Sequence, residues 1–216
     1  MPKSTSLKPR KAPRQRRSAV TVEAILEAAA RILETKGPAG YTTNAVAERA
    51  GVSIGSLYQY FPGKEALTGA LIERETGQLI EEAMPVPGED GKTAIGRWIT
   101  AAVAHQLRRP VLARILDFEE GLHPEAYGVY ALRDRAVAML EKVLASPDLP
   151  PQPDAKIAAG DILAMVRGMI DAAGDRGEMD RYGLEQRVGR AVFGYLGAVE
   201  ATAPRSGLTS ASPDRR

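Results

Sequence analysis

Between Ser53 and Pro62 the chain reads Ile54-Gly55-Ser56-Leu57-Tyr58-Gln59-Tyr60-Phe61. On a helix, Leu57 and Phe61 share one face and suit a core, which turns Ile54, Gly55, Ser56, Tyr58, Gln59 and Tyr60 partly or wholly outward. That outward set has the chemistry of duplex recognition. A glutamine pairs bidentately with an adenine edge, an apolar side chain packs on a thymine methyl, and tyrosine and serine hydroxyls reach phosphate oxygens. Gly55 would let the helix backbone approach a partner closely. Aromatic residues at helical spacing are also ordinary packing groups, so Tyr58 and Tyr60 alone decide nothing.

A second set of residues points to different chemistry. Asp117, Glu119, Glu120 and His123 cluster in sequence, and Glu120 with His123 has the Glu-x-x-His spacing of carboxylate-bridged metal sites in helical bundles. Such a site needs a second copy of the motif. The chain has two histidines, the other being His105 within a helical stretch, and Pro124 breaks the helix beside His123. The segment reads as a solvated acidic turn. There are no cysteines, phosphate loop, nucleophile elbow or paired zinc motif, so no catalytic group, metal or cofactor is expected and the chain is not read as an enzyme.

The elements that position the first set follow from periodicity. Val22, Ile25, Leu26, Ala29, Ile32 and Leu33 form one stripe of a helix, with Thr21 as predicted N-cap and Gly37-Pro38 as its stop. A short helix from Thr43 to Ala50 ends at Gly51. The next opens at Ser53 and is broken by Pro62-Gly63. Two short helices joined by a glycine turn make a helix-turn-helix, whose second helix can enter the major groove. A fourth helix runs from Lys64 towards Pro85. Beyond the proline- and glycine-rich stretch 84–91, helical patterns recur at 94–107, 110–119, 124–145, 154–173 and 183–199. No sustained strand alternation or internal repeat occurs, so the fold is predicted to be all-α.

Charge is uneven. Lys3, Lys8, Arg10, Lys11, Arg14, Arg16 and Arg17 stand in the first 17 residues without an acidic partner. Removing those seven from 29 basic residues leaves 22 against 27 acidic ones, a net −5 behind a basic arm. Prolines and serines among the cations predict a disordered arm over 1–19, either solubilising or lying along phosphates. Residues 20–66 are read as the helix-turn-helix domain, 67–203 as a helical effector-binding and dimerisation domain, and 204–216 as a flexible tail. Hydrophobic content of 44% supports a packed core, and no apolar run nears the roughly 18 residues that span a bilayer. A cytoplasmic protein without membrane contact is expected.

The run YTTNAVAERAGVSIGSLYQYFPGKEAL, residues 41–67, resembles the DNA-binding domain of the tetracycline-repressor (TetR) family of bacterial regulators. The resemblance rests on Thr42-Thr43, the AERAGVS stretch from Ala47 to Ser53, Gly55, Leu57-Tyr58, Tyr60-Phe61 and Lys64-Glu65, and covers about residues 20 to 70. It implies that Thr43 and Asn44 open the second helix near the DNA backbone. By the same resemblance Ile54, Gly55, Ser56, Gln59 and Tyr60 face the groove behind the Ser53 cap, and Tyr58 and Lys64 hold phosphates. Arg14, Arg16 and Arg17 are expected to reach DNA from the arm. Ile54 stands where family members often carry lysine, and Leu33 where an aromatic is common.

For the second module the resemblance implies a ligand-binding and dimerisation domain whose last two helices form a four-helix interface. Ile162, Met165, Met169, Val188, Val192, Phe193 and Leu196 are the expected interface residues. Trp98, Leu107, Leu112, Phe118, Tyr127, Tyr130, Met139, Met165 and Met169 are the expected lining of an effector pocket, since aromatics and methionines suit an apolar cavity. The same residues at helical spacing also read as plain core. The resulting expectation is a homodimeric repressor that binds a palindromic double-stranded operator and is released by a small-molecule effector of unstated identity.

Overall fold

The computed structural model describes residues 16–125 and 127–198. Among them are nine α-helices and no strand: α1 (Arg16–Gly40), α2 (Thr43–Ala50), α3 (Ile54–Tyr60), α4 (Lys64–Ala83), α5 (Gly91–Arg108), α6 (Pro110–Leu122), α7 (Val129–Leu144), α8 (Ala155–Asp175) and α9 (Arg181–Gly197). The short polar side chains that favour N-caps do so here. Thr42, Ser53, Asp90, Asp154 and Asp180 each accept a hydrogen bond from the amide three residues on, satisfying a donor that the first helical turn leaves free.

Three boundaries differ from the sequence reading. Helix α1 begins at Arg16, so Thr21 lies within it rather than capping it, and the last four residues of the predicted 1–19 arm are helical. Residues 1–15, with Arg14, and residues 199–216 lie outside the described residues. Helix α7 begins at Val129, because Gly128 in the left-handed region (φ 68°) ends a turn that starts at Pro124. Within α1, Gly37 (φ 64°) interrupts the helix at the predicted stop before one further turn to Gly40.

Two apolar clusters form the interior. One gathers Ile25, Ala29, Ile32, Val46, Leu57, Phe61, Leu67 and Leu71 from α1 to α4, and is closed by Leu112 and Leu116 of α6 together with Tyr127. The other gathers α5, α7, α8 and α9 around Ile95, Val103, Leu140, Ile162, Val188 and Val192. Helix α4 enters both, through Leu67 and Leu71 at one end and Ala83 at the other. It runs unbroken across residues 66 and 67, where the sequence reading divides the chain.

Charge reinforces this junction. Arg109, between α5 and α6, donates to Glu34 Oε1 at 2.7 Å and to Glu27 Oε2 at 2.9 Å, both on α1. Arg74 of α4 reaches Glu23 at 2.8 Å and Glu27 at 3.5 Å. The Arg109 guanidinium holds the Glu34 carboxyl below the usual range, and Glu27 is lowered by its arginines against the opposing effect of burial. The Arg109 and Glu34 side chains are 16% and 17% exposed, so cutting the arginine strands a carboxylate largely out of water. Arg109→Met is expected to cost about 2 kcal/mol in urea denaturation, the scale of a charge-assisted pair broken on one side. In a cycle with Glu34→Gln, the second change should cost little once Arg109 is gone.

Candidate nucleic-acid interface and ligand cavity

Helices α2 and α3 are joined by a turn that needs its glycine. Gly51 sits at φ 67°, where a side chain would be strained, and the Val52 amide donates back to the Ala47 carbonyl at 3.0 Å. Ser53 opens α3, its Oγ accepting from the Ser56 amide at 3.0 Å and lying 2.8 Å from the Ser56 hydroxyl. Leu57 (0% exposed) and Phe61 (1%) anchor the helix in the first cluster. With those two inward, Ser53, Ile54, Gly55, Tyr58 and Gln59 are exposed.

The remaining residues of the set fall around this face. Asn44 and Lys64 are exposed, and Thr43 is half-buried with its hydroxyl 3.2 Å from that of Tyr58. The ends of α2 and α3 are therefore linked through two hydroxyls that both lie at the surface. Lys64 Nζ stands 5.7 Å from the centre of the Tyr41 ring, at the first residue of α4. Ser56 is half-buried. Tyr60 is half-buried too, packed on the first cluster, and its hydroxyl accepts from Ser18 Oγ at 3.3 Å. It braces α3 against α1 rather than standing clear with Gln59. A Cβ at Gly55 would meet only Ser53 Oγ, at 3.9 Å, so nothing within the fold requires glycine there. Arg16 and Arg17 belong to α1 by their backbone.

Residues 25–71 match the family model described as bacterial regulatory proteins, tetR family. That match spans the helix-turn-helix segment, from within α1 into α4. An uncharacterised HTH-type transcriptional regulator of Mycobacterium tuberculosis is 41% identical over 69 residues, 32% of this chain and 34% of that one. A nucleoid occlusion factor of Vibrio campbellii is 33% identical over 129 residues, 56% of this chain and 61% of that protein. The chain thus spans about a third of the mycobacterial relative it matches. A TetR-family regulator structure from Rhodococcus shares the fold, with a TM-score of 0.69 at 19% identity over 82% of this chain and 99% of that one. The family is one of transcriptional regulators, not enzymes.

A cavity of about 390 Å³ lies between α4, α5, α6, α7 and α8. Trp98 and Leu112 line it as expected from the sequence, with Leu79, Ile80, Ala102, Leu116 and Ile170. The other seven expected lining residues are elsewhere. Phe118 (66% exposed) and Tyr130 (53%) face outward, because α6 turns Leu112 and Leu116 to the inside and Phe118 lies off that face. Tyr127 is buried in the helix-turn-helix cluster, while Leu107, Met139, Met165 and Met169 pack against the second cluster.

The expected dimer residues divide in the same way. Ile162, Val188, Val192 and Leu196 are buried inside one chain's own core, and Met165 and Met169 are half-buried against it. Phe193 remains on the surface of α9, 39% exposed, and Ile157 of α8 is 62% exposed.

The acidic stretch of α6 is not a solvated turn. Asp117 and Glu120 line the cavity with Asp171 and Arg167 of α8. Arg167 donates to Glu120 at 3.1 Å and to Asp117 at 3.3 Å, and stands 3.7 Å from Asp171. His123 instead meets Tyr127 edge to face, with ring centres 6.1 Å apart, so the Glu-x-x-His pair does not converge. No spacing rule could find this grouping, since its members lie about fifty residues apart. Burial, and then the neighbouring Asp171, push the Asp117 carboxyl up to about 7 against the pull of Arg167. Glu120 and Asp171 are pushed up by burial as well.

Asp117 therefore keeps its proton in the folded chain to higher pH than when unfolded. The native state binds more protons between about pH 4 and 7, and this carboxyl's contribution to stability falls as pH rises through that window. Asp117→Asn should melt above the wild type at pH 8, with the gap narrowing below pH 7 and closing near pH 4. The side chain is 34% exposed, which limits the expected gain to about 2–4 °C by scanning calorimetry.

Proposed function

We propose that the chain is a DNA-binding transcriptional regulator that works in the cytoplasm as a homodimer, represses by occupying a palindromic operator, and is released when a small molecule enters the cavity. The observation that carries the reading is the division of α3: Leu57 and Phe61 are sealed inside while Ile54, Gly55, Tyr58 and Gln59 stand in the open. Gly55 adds support. A glycine inside an exposed helix costs about 1 kcal/mol relative to alanine, and the fold has space for a Cβ there, which fits a position where another backbone comes close.

In this reading Gln59 and Ile54 address base edges, and Ser53, Ser56, Thr43 and Asn44 address the sugar-phosphate chain. Tyr58 is held by its contact to Thr43 and takes a phosphate, and Lys64 takes another at the N-terminus of α4, where the helix dipole adds to its charge. Tyr60 acts by fixing α3 on α1. The basic residues of the segment 1–15, Arg14 among them, and Arg16 and Arg17 at the start of α1 add contacts to the flanking backbone, as basic N-terminal arms of other helix-turn-helix proteins do.

A single short helix reads too few bases to find one site in a genome, which favours two copies about 34 Å apart on successive grooves. The exposed Phe193 of α9 and Ile157 of α8 support pairing through these two helices, and a two-fold interface would bring each copy's patch to the other's.

Selection from a random duplex pool should return an inverted repeat; recovery of unrelated sequences would sink the reading. Tyr58→Ala and Lys64→Ala should weaken binding to every sequence by about tenfold, whereas Gln59→Ala should relax preference at particular base pairs at a cost of about 1–3 kcal/mol. Removing residues 1–15 should flatten the dependence of log affinity on log salt. Phe193→Glu should shift the protein towards monomer in sedimentation and lose operator affinity with it.

A further inference from the structure

We propose that the cavity selects an organic cation with an apolar body, its positive charge seated against Asp117, Glu120 and Asp171 and its body lying towards Trp98. This rests on the effector reading above and gives the effector a chemical class.

The cavity lining is of two unlike kinds. Leu79, Ile80, Trp98 and Ala102 make an apolar part, and a volume near 390 Å³ sits in the range of about 300–1000 Å³ typical of small-molecule sites. In the other part three carboxylates share one guanidinium, that of Arg167, and two of the three come from a different helix than the arginine. Arg133 lines the cavity from α7, but is exposed and forms no ion pair with the three among the described residues. His105 also lines it and adds no charge, since burial lowers its affinity for a proton. Arg109 and Glu75 face the cavity with their charges already committed, to Glu34 and Glu27 and to Arg74.

A second observation points to a ligand independently of the acids. Gln106 is 6% exposed and lines the cavity, yet no hydrogen bond satisfies its amide among the described residues. Neither polar atom is sealed off from space, since the described residues hold no fully buried unpartnered side-chain oxygen or nitrogen. Its Nε2 occupies the room left by Gly174, 2.9 Å from where a Cβ would stand, which places it beside the turn of α8 that carries Asp171. A polar side chain kept inside a fold without a partner is the kind that a bound molecule completes.

Charge then decides the sign. An anionic head would meet three carboxylates and compete with them for Arg167. A cation instead satisfies the surplus carboxylates, and lowers the cost of ionising groups that burial now pushes towards their neutral forms. An apolar body of ordinary ligand size reaches from that part towards the indole.

Trp98 is the sole tryptophan, so its fluorescence reports occupancy directly in the full-length protein. Three probes with a common phenylpentyl body and different head-group charge separate the cases: 5-phenylpentyltrimethylammonium, 5-phenylpentan-1-ol and 6-phenylhexanoate. The ammonium is expected to bind at least tenfold more tightly than the alcohol, and the carboxylate more weakly than either. Asp117→Asn/Asp171→Asn should bring the ammonium down to the alcohol's affinity, both measured on that variant. Glu120→Gln, a milder change, should remove part of the preference, and melting curves check that each variant is folded. An alcohol or carboxylate that binds as well as the ammonium, or a preference unmoved by both variants, overturns cation selection and leaves the cavity as a binding site. If none of the three alters Trp98 emission, the effector reading of the cavity falls with it.

Discussion

The helix-turn-helix core is not complete within the segment that carries it. Leu112 and Leu116 of α6, with Tyr127, close the apolar cluster formed by α1 to α4, and Arg109 at the head of α6 clasps two carboxylates on α1. A three-helix module of this size buries too little surface to be robust alone. The same α6 presents Leu112, Ala113, Leu116, Asp117 and Glu120 to the cavity. One helix is thus a wall of the cavity and a part of the helix-turn-helix interior. Packed interiors shift between discrete arrangements rather than stretch, so a displacement of α6 cannot be absorbed silently by the helices it packs on.

This arrangement gives induction a physical route under the proposed function. A ligand changes DNA affinity only to the extent that it binds one arrangement of the helices better than another. The acidic part of the cavity joins α6 to α8 through Arg167, while the Arg109 clasp joins the start of α6 to α1. A group that draws Asp117 and Glu120 away from Arg167 alters the first link, and α6 carries that change to the second. In a dimer, a small rotation of α1 and α4 is enough to change the spacing of the two α3 helices.

What could be read from the sequence was what local chemistry dictates. The α2 and α3 boundaries, the Ser53 cap, the Gly51 turn and the inward Leu57 and Phe61 follow from capping preferences and 3.6-residue periodicity, and all are present in the structure. Periodicity could not say against what a stripe packs. Val188 and Val192 read equally well as a subunit interface and as the chain's own interior, and they belong to the latter. Tyr127 and Phe118 had the composition of a cavity lining, but α6 turns one face inward and Tyr127 fills the gap beneath α1 to α4. The start of α1 was missed because a basic, proline-bearing approach offers no cap to mark it. Asp117, Glu120, Arg167 and Asp171 converge only in three dimensions.

The acidic part of the cavity also bears on why such groups persist. Three carboxylates around one arginine, partly withdrawn from water, do not maximise stability: apolar side chains of similar volume would fill the same space without the desolvation cost. Elsewhere the chain pairs a withdrawn charge closely, as at Arg109, which has two carboxylates within 2.9 Å, one of them the little-exposed Glu34. There the geometry serves the fold. At Arg167 the contacts are longer, from 3.1 to 3.7 Å, the carboxyls are pushed towards neutrality, and the nearby Gln106 amide has no hydrogen bond among the described residues. One site is closed and satisfied while the other is left in deficit, and a deficit of positive charge and of hydrogen bonds in a partly apolar chamber is what a cationic molecule is suited to supply.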